Sequence, residues 1–179
     1  SEIPQEPEPT APVYTHIPWE SETLPWVTVA FHGPAFSGTK SDMAVMDVMA
    51  RLAFSPSSEL YQQLVVEQQV VNELFAYFYD ATDPGLPTVY AQVNDPKDVW
   101  KVRDAILKTF AKLRTTPVAY RDLRLIQSNL RNGVALSLDN SESIAQAIVG
   151  YVARTRDPET INRVYDLYAQ VTPEAIIEK

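Results

Sequence analysis

The sequence contains no cysteine, which excludes disulfides, thiolate zinc sites and a cysteine nucleophile. Histidine is nearly missing as well, with only His16 and His32 present. A hydrolytic zinc site usually takes three protein ligands, commonly two histidines on one helix face plus another donor. Neither histidine here has a second one three or four residues away, so H-E-x-x-H and H-x-x-E-H are both absent. Glycine is scarce too: Gly38 and Gly85 build no phosphate-cradling loop, and no G-x-S-x-G elbow occurs. No apolar run approaches the length of a membrane span. No signal-peptide pattern opens the chain, although a removed address would leave the same sequence. Positive charge is outweighed, and the formal net charge of -8 argues against a general nucleic-acid binder.

The remaining chemistry-bearing residues form no constellation. His32 ends a strand beside Gly33-Pro34, where a structural hydrogen-bonding role is expected rather than a catalytic one. The 23 Asp and Glu residues are scattered, and Glu67 and Glu73 flank a helix-to-strand junction as solvated side chains. The expectation is no catalytic residue, no metal ligand and no substrate-binding residue that can be named.

What is present fits one domain: 179 residues with 45% hydrophobic content, normal for a globular core. The first 25 residues hold six of the 14 prolines (Pro4, Pro7, Pro9, Pro12, Pro18, Pro25) and five glutamates, a composition that favours an extended linker. The expected division is a linker over residues 1–24 and a single domain over 25–179. The far end, from Val171-Thr172-Pro173, opens a helix that stops at Lys179, so the chain reads as a fragment cut short at its end. A final strand lost there would leave a sheet edge open to dimerisation. Charge is unevenly placed: residues 97–131 hold nine Lys/Arg against three Asp/Glu. That band suits an acidic partner surface, or is simply the solvated outer face of two helices, the blander reading being preferred.

Trp26 to His32 alternates and is rich in strand formers, stopping at Gly33-Pro34. Ser41 opens a helix with Met43, Met46, Ala50 and Ala53 at helical spacing. Ser55-Pro56-Ser57-Ser58 breaks it, and a second helix runs through Leu60, Leu64 and Glu67. Val71 to Tyr79 and Pro87 to Val93 read as strands joined by Asp80-Ala81-Thr82-Asp83-Pro84-Gly85, an antiparallel hairpin. Asp95-Pro96, Thr116-Pro117, Asp157-Pro158 and Thr172-Pro173 each pair a capping residue with proline, as at helix starts. Val99, Val102, Ile106, Phe110 and Leu113 mark one apolar helix face. Tyr120, Leu123, Ile126, Leu130 and Val134 mark another. Gly133 and Asp139-Asn140-Ser141 predict a bend or break before Ile144 to Val152, and Glu159 to Ala169 a further helix. The order predicts an α+β fold, an antiparallel-rich sheet packed on one face by helices.

Two surfaces stand out. Met43, Met46 and Met49 form a stripe that reads as a core or domain-interface face more readily than as an adaptable binding surface. Phe75, Tyr77 and Tyr79 alternate with Phe78, so one sheet face should meet the helices. The other is covered by a second domain or lines a wet cavity.

The strand Val27-Thr28-Val29-Ala30-Phe31-His32-Gly33-Pro34-Ala35 precedes an aspartate-led helix and then Ser57-Ser58-Glu59-Leu60-Tyr61-Gln62-Gln63-Leu64. That run resembles the S-S-x-L-Y-x-x-L segment of C-terminal-type, non-catalytic domains of insulinase/pitrilysin zinc peptidases. The aromatic hairpin, the long helices and Val171-Thr172-Pro173-Glu174 follow in matching order, from about Val13 to the end. The resemblance implies one domain of the insulinase/mitochondrial-processing-peptidase fold, forming chamber wall and inter-domain interface in a zinc-dependent metalloendopeptidase. It implies no cofactor in this chain and zinc in an N-terminal domain of the parent. The partners implied are that catalytic-type domain, a second half or subunit, and a peptide or unfolded-protein substrate. Nucleic acid is not among them. Localisation stays open, with periplasm or secretion favoured because bacterial relatives are often exported. Substrate-holding copies carry an arginine just after the L-Y-x-x-L leucine and a tyrosine seven residues later. Here those positions are Val65 and Asn72, so the bidentate donor and the phenol are missing. Such a copy is not expected to hold the scissile bond. It would be the second domain of a catalytic half, or an assembly or peptide-binding module of an inactive pseudo-peptidase subunit.

Overall fold

A computed structural model of the chain describes residue 7 and residues 10–179. Much of the expected linker start, residues 1–6 and 8–9, lies outside the described residues, and residues 10–25 form no helix or strand. The core element is a three-stranded antiparallel sheet in the order β1-β3-β2, with β1 at Trp26–Ala30, β2 at Val71–Tyr77 and β3 at Thr88–Val93. Alternation places Val27, Val89, Ala91 and Val93 on the buried side, as period-two side-chain direction requires. β2 carries a bulge between Val71 and Glu73. Asn72 and Glu73 consequently both face solvent while Val71 and Leu74 are both buried, because the extra residue restores the inward register.

The helices lie on the inner side of this sheet. Helix α1 (Asp42–Phe54) buries Met43, Ala44, Val45, Met46, Val48, Met49, Ala53 and Phe54. It is apolar almost all round because it contacts β2 on one side and α4 and α6 on the other. The methionine stripe is therefore core. The α2 turn (Glu59–Tyr61) is capped by Ser58, whose Oγ accepts from Tyr61 N at 3.2 Å, and continues as a π-helical turn over Gln62–Glu67. Gln69 then takes a left-handed conformation with φ 52°. Asn94 donates to its carbonyl from Nδ2 at 2.6 Å and to the Val70 carbonyl from its backbone at 2.9 Å. This junction turns the chain into β2.

Asp95 caps the turn at Pro96–Asp98, accepting from Lys97 N at 3.0 Å, and α3 follows at Val99–Thr115. It packs on β1 and β3 through buried Val102, Ile106 and Leu113. The Phe110 ring lies 4.5 Å from Phe31 and 5.3 Å from Phe54. Helix α4 (Tyr120–Ser137) buries Leu123, Ile126 and Leu130. α5 (Ser141–Thr155), α6 (Thr160–Ala169) and the short α7 (Pro173–Ile177) complete the layer. The α+β architecture, a sheet backed by helices on one face, is as the sequence predicts.

Several boundaries differ from expectation. Thr116-Pro117 ends α3 instead of starting α4: Thr116 N donates to Lys112 O, and the chain stays outside the helix until Tyr120. A residue before proline is pushed toward extended backbone, which terminates a helix as readily as it introduces one. Tyr120 itself is 63% exposed, so it lies outside the apolar face of α4. Gly133 does not break α4, which runs on to Ser137. An interior glycine costs only about 1 kcal/mol, less than the burial of neighbouring Leu130 returns. The break falls at Asp139-Asn140, where Asn140 caps α5 by accepting from Ser143 N at 2.9 Å. Asp157-Pro158 precedes α6 by one turn, with Asp157 Oδ1 accepting from Glu159 N at 2.9 Å.

Candidate functional site

Three features stand out around the sheet: its outer face, the groove beside its β2 edge and a polar cluster behind its end. The outer sheet face holds Trp26 of β1, Tyr90 of β3, and Phe75 and Tyr77 of β2. The register pairs Phe75 with Tyr90, and their rings stack at 5.2 Å, while Trp26 meets Phe75 edge-on at 6.3 Å. Tyr77 stacks on Tyr79 at 5.6 Å. Trp26, Phe75, Tyr77 and Tyr79 are 41–57% exposed, whereas Phe78 turns inward and packs on the core. The helices of this chain leave this aromatic face uncovered, and exposed rings of this kind are the composition expected of an interaction surface.

β2 is an edge strand, and no strand pairs with its outer side among the described residues. A groove of about 530 Å³ runs beside it, lined by Arg51 and Asp47 of α1, Tyr61, and β2 residues including Asn72. Asn72 is exposed and donates from Nδ2 to Gln92 Oε1 at 2.8 Å. Val65 is half-buried and packs against the core. Neither position offers a guanidinium or a phenol.

The third feature is a polar cluster behind the sheet end. Tyr168 of α6 donates its hydroxyl to Asp47 Oδ2. Burial pushes the Asp47 carboxyl above its ordinary value, partly offset by the Tyr168 hydrogen bond, with the Asp80 charge adding to the rise and Arg51 opposing it. Burial raises Asp80 as well, against the opposing pull of Arg154, whose Nη2 lies 3.8 Å from Asp80 Oδ2. The Arg154 guanidinium sits 5.0 Å from the Phe36 ring and 5.2 Å from that of Tyr151. Tyr168 is raised far above the usual phenol range, first by burial and then by the Asp47 charge. The cluster ties α1, the hairpin loop, α5 and α6 together. The sequence signal for it was Asp47, a lone acid inside the apolar run Met43–Met49.

Neither histidine joins these features. His16 and His32 are both exposed. The His32 side chain makes no hydrogen bond among the described residues, contrary to the structural role expected of it, because the backbone takes over there. Phe31 N and Gly33 N donate to Pro87 O and Gly85 O at 3.0 and 2.9 Å. Among the described residues no group of three or more His, Cys, Asp or Glu is placed to hold a metal ion. Glu67 and Glu73 are exposed. No helix among the described residues is long and apolar enough to cross a membrane.

Comparison with solved structures places this fold. The inactive peptidase domain of a Bordetella parapertussis protein assigned as a zinc protease superposes with a TM-score of 0.76 at 22% identity, covering 89% of this chain and 85% of that one. A protease from Helicobacter pylori gives a TM-score of 0.76 at 18% identity, covering 86% of this chain. Pitrilysin gives 0.63 at 17% identity, with 86% of this chain covered and 16% of that one. The chain thus spans 37% of the length of the Helicobacter protein. No curated protein sequence matches it significantly. The family model described as the peptidase M16 inactive domain matches residues 1–130, which include the sheet, α3 and much of α4. By that match, in a fold shared with solved members, the chain belongs to the peptidase M16 inactive-domain family.

Proposed function

We propose that this chain is the non-catalytic domain of a zinc-dependent metalloendopeptidase, forming chamber wall and inter-domain interface around peptide substrates. The observation that carries this reading is the aromatic outer face of the sheet. Trp26, Phe75, Tyr77 and Tyr79 present large rings to solvent together there, and a second domain or an enclosed chamber would cover them. The zinc would be held by a catalytic-type domain of the same parent, since His16 and His32 do not fit a metal site. Peptide cleavage would likewise belong to that domain.

A second reading is supported by Val65 and Asn72. With no arginine or tyrosine to grip a peptide carbonyl at these positions, the chain suits an assembly module of an inactive subunit equally well. One experiment separates the two: express the parent reading frame, measure bound zinc and test cleavage of unfolded peptides. Bound zinc and cleavage by the parent, with neither in the isolated 179-residue chain, support the first reading. A zinc-free, inactive parent supports the second. Stoichiometric zinc binding by the isolated chain would overturn both. In the parent, Phe75→Lys with Tyr77→Lys should loosen the domain contact, read as faster limited proteolysis.

A further inference from the structure

A second groove, larger than the one beside β2, lies away from the sheet face, in the helical layer. It measures about 960 Å³ and is enclosed by the end of α1, the α2 and π-helical turns, α3, and the α3–α4 connection. Its lining is mainly apolar, including Leu52, Leu60, Leu113 and Ile126, with Leu125 of α4 on the rim at 58% exposed. Around this apolar floor stand four cations, Arg51, Lys101, Lys108 and Lys112, against two carboxylates, Glu59 and Asp122. Lys112 pairs with Glu59 at 2.5 Å, but both side chains are more than half exposed, so the pair exchanges readily with another carboxylate. Lys108 and Lys101 stand about one and three turns further toward the start of α3 and form no ion pair among the described residues. The groove thus sits in the one basic band, residues 97–131, of a chain whose net charge is -8.

From this arrangement we propose that the groove docks an acidic amphipathic helix of a protein partner. An apolar floor calls for apolar side chains at helical spacing, and the lysine rim calls for carboxylates beside them. Apart from Ser57, Ser58 and the 116–119 connection, the walls are helical, and no residue of β1, β2 or β3 lines the groove. With no strand there to pair with, the groove favours an occupant that satisfies its own backbone, as a helix does. Nucleic acids and anionic membranes are disfavoured, because a long polyanion would meet the negative charge of the rest of the molecule. The surface is separate from the aromatic sheet face, so the groove stays open when that face is covered. It adds a partner to the function proposed above without depending on it.

The test uses the intact chain and an 18-residue designed peptide, with leucine at i, i+4, i+7 and i+11 and glutamate at the flanking positions. The measurement is fluorescence anisotropy at low and at 0.3 M salt. Binding is expected to weaken with salt. Lys101→Glu with Lys108→Glu should lower affinity about tenfold or more while leaving the unfolding midpoint unchanged, and Leu125→Ala should lower it severalfold. Any of three results would overturn the proposal: undiminished binding by the double variant, equal binding of the same peptide with alanine for leucine or lysine for glutamate, or tighter binding to phosphatidylserine vesicles or single-stranded DNA than to the peptide.

Discussion

Replacing Gly33 by alanine would set a Cβ 2.5 Å from Pro87 Cδ and nearer still to Cγ. Carbon atoms in ordinary contact sit about 3.5–4.0 Å apart, so the two segments would have to separate by roughly 1 Å. The proline ring cannot rotate away. Hydrogen bonds from Phe31 N to Pro87 O (3.0 Å) and from Gly33 N to Gly85 O (2.9 Å) hold the segments in register on both sides. Gly33 has no positive φ, so alanine meets no backbone strain, and the shorter list of unfolded conformations returns about 0.4–1 kcal/mol. Overpacking costs about 1–3 kcal/mol, and a weakened hydrogen bond about 1 kcal/mol more. The net is a loss of about 2 kcal/mol, or roughly 4–8 °C in Tm for a chain of this size. Thermal unfolding followed by circular dichroism measures it. Pro87→Ala removes the colliding ring atoms, so the double variant should be less destabilised than the two singles together by about 1 kcal/mol or more. A Gly33→Ala variant within 1 °C of the parent (roughly 0.3–0.5 kcal/mol), or additive singles, would refute the steric argument.

Asp47 and Asp80 are raised above their ordinary values, first by burial, so the folded state holds their protons more tightly than the unfolded chain. Their contribution therefore strengthens as pH falls from neutrality through their folded values, opposite to an ion-paired carboxylate. Urea unfolding at stepped pH should show Asp47→Asn with a shallower acid-side gain than the parent, and an unchanged slope would count against the cluster. Tyr168→Phe removes the hydroxyl donating to Asp47 and should cost about 1–3 kcal/mol, more at neutral than at acid pH. Thr172, whose side chain accepts from Ala175 N at 3.2 Å, should lose about 1 kcal/mol on mutation to alanine. Thr116→Ala should be near neutral, because its side chain caps nothing. Equal losses at the two positions would return Thr116 to the role of a helix start.

Apolar periodicity located nearly every element, because side-chain spacing is a local property. Val102, Ile106 and Leu113 are buried at the predicted spacing, and Asp95 and Thr172 cap the predicted helices. The errors fell where one signal serves two purposes. Thr116-Pro117 reads as a start and acts as a stop, and Gly133 reads as a breaker inside a helix that packing sustains. The alternation of Phe75, Tyr77 and Tyr79 against Phe78 predicted two-faced rings. Local pattern could not say which face the helices would leave open.

Composition alone settled a good deal. A chain without cysteine cannot form a thiolate or disulfide site, and two histidines so far apart in sequence cannot form a helical zinc motif. Strand and helix periods, the hairpin turn and the α+β order also follow from residues within a few positions of one another. The pairing of β1 with β3 instead of β2, the edge position of β2 in the sheet, and the groove beneath the α3 lysines depend on segments that meet only after folding. Asp47 and Tyr168 are 121 residues apart. Their hydrogen bond, and the burial that raises Asp47, exist only because α1 is enclosed between the sheet and the later helices. Desolvation is a property of everything packed around a group, and no local window of sequence contains it.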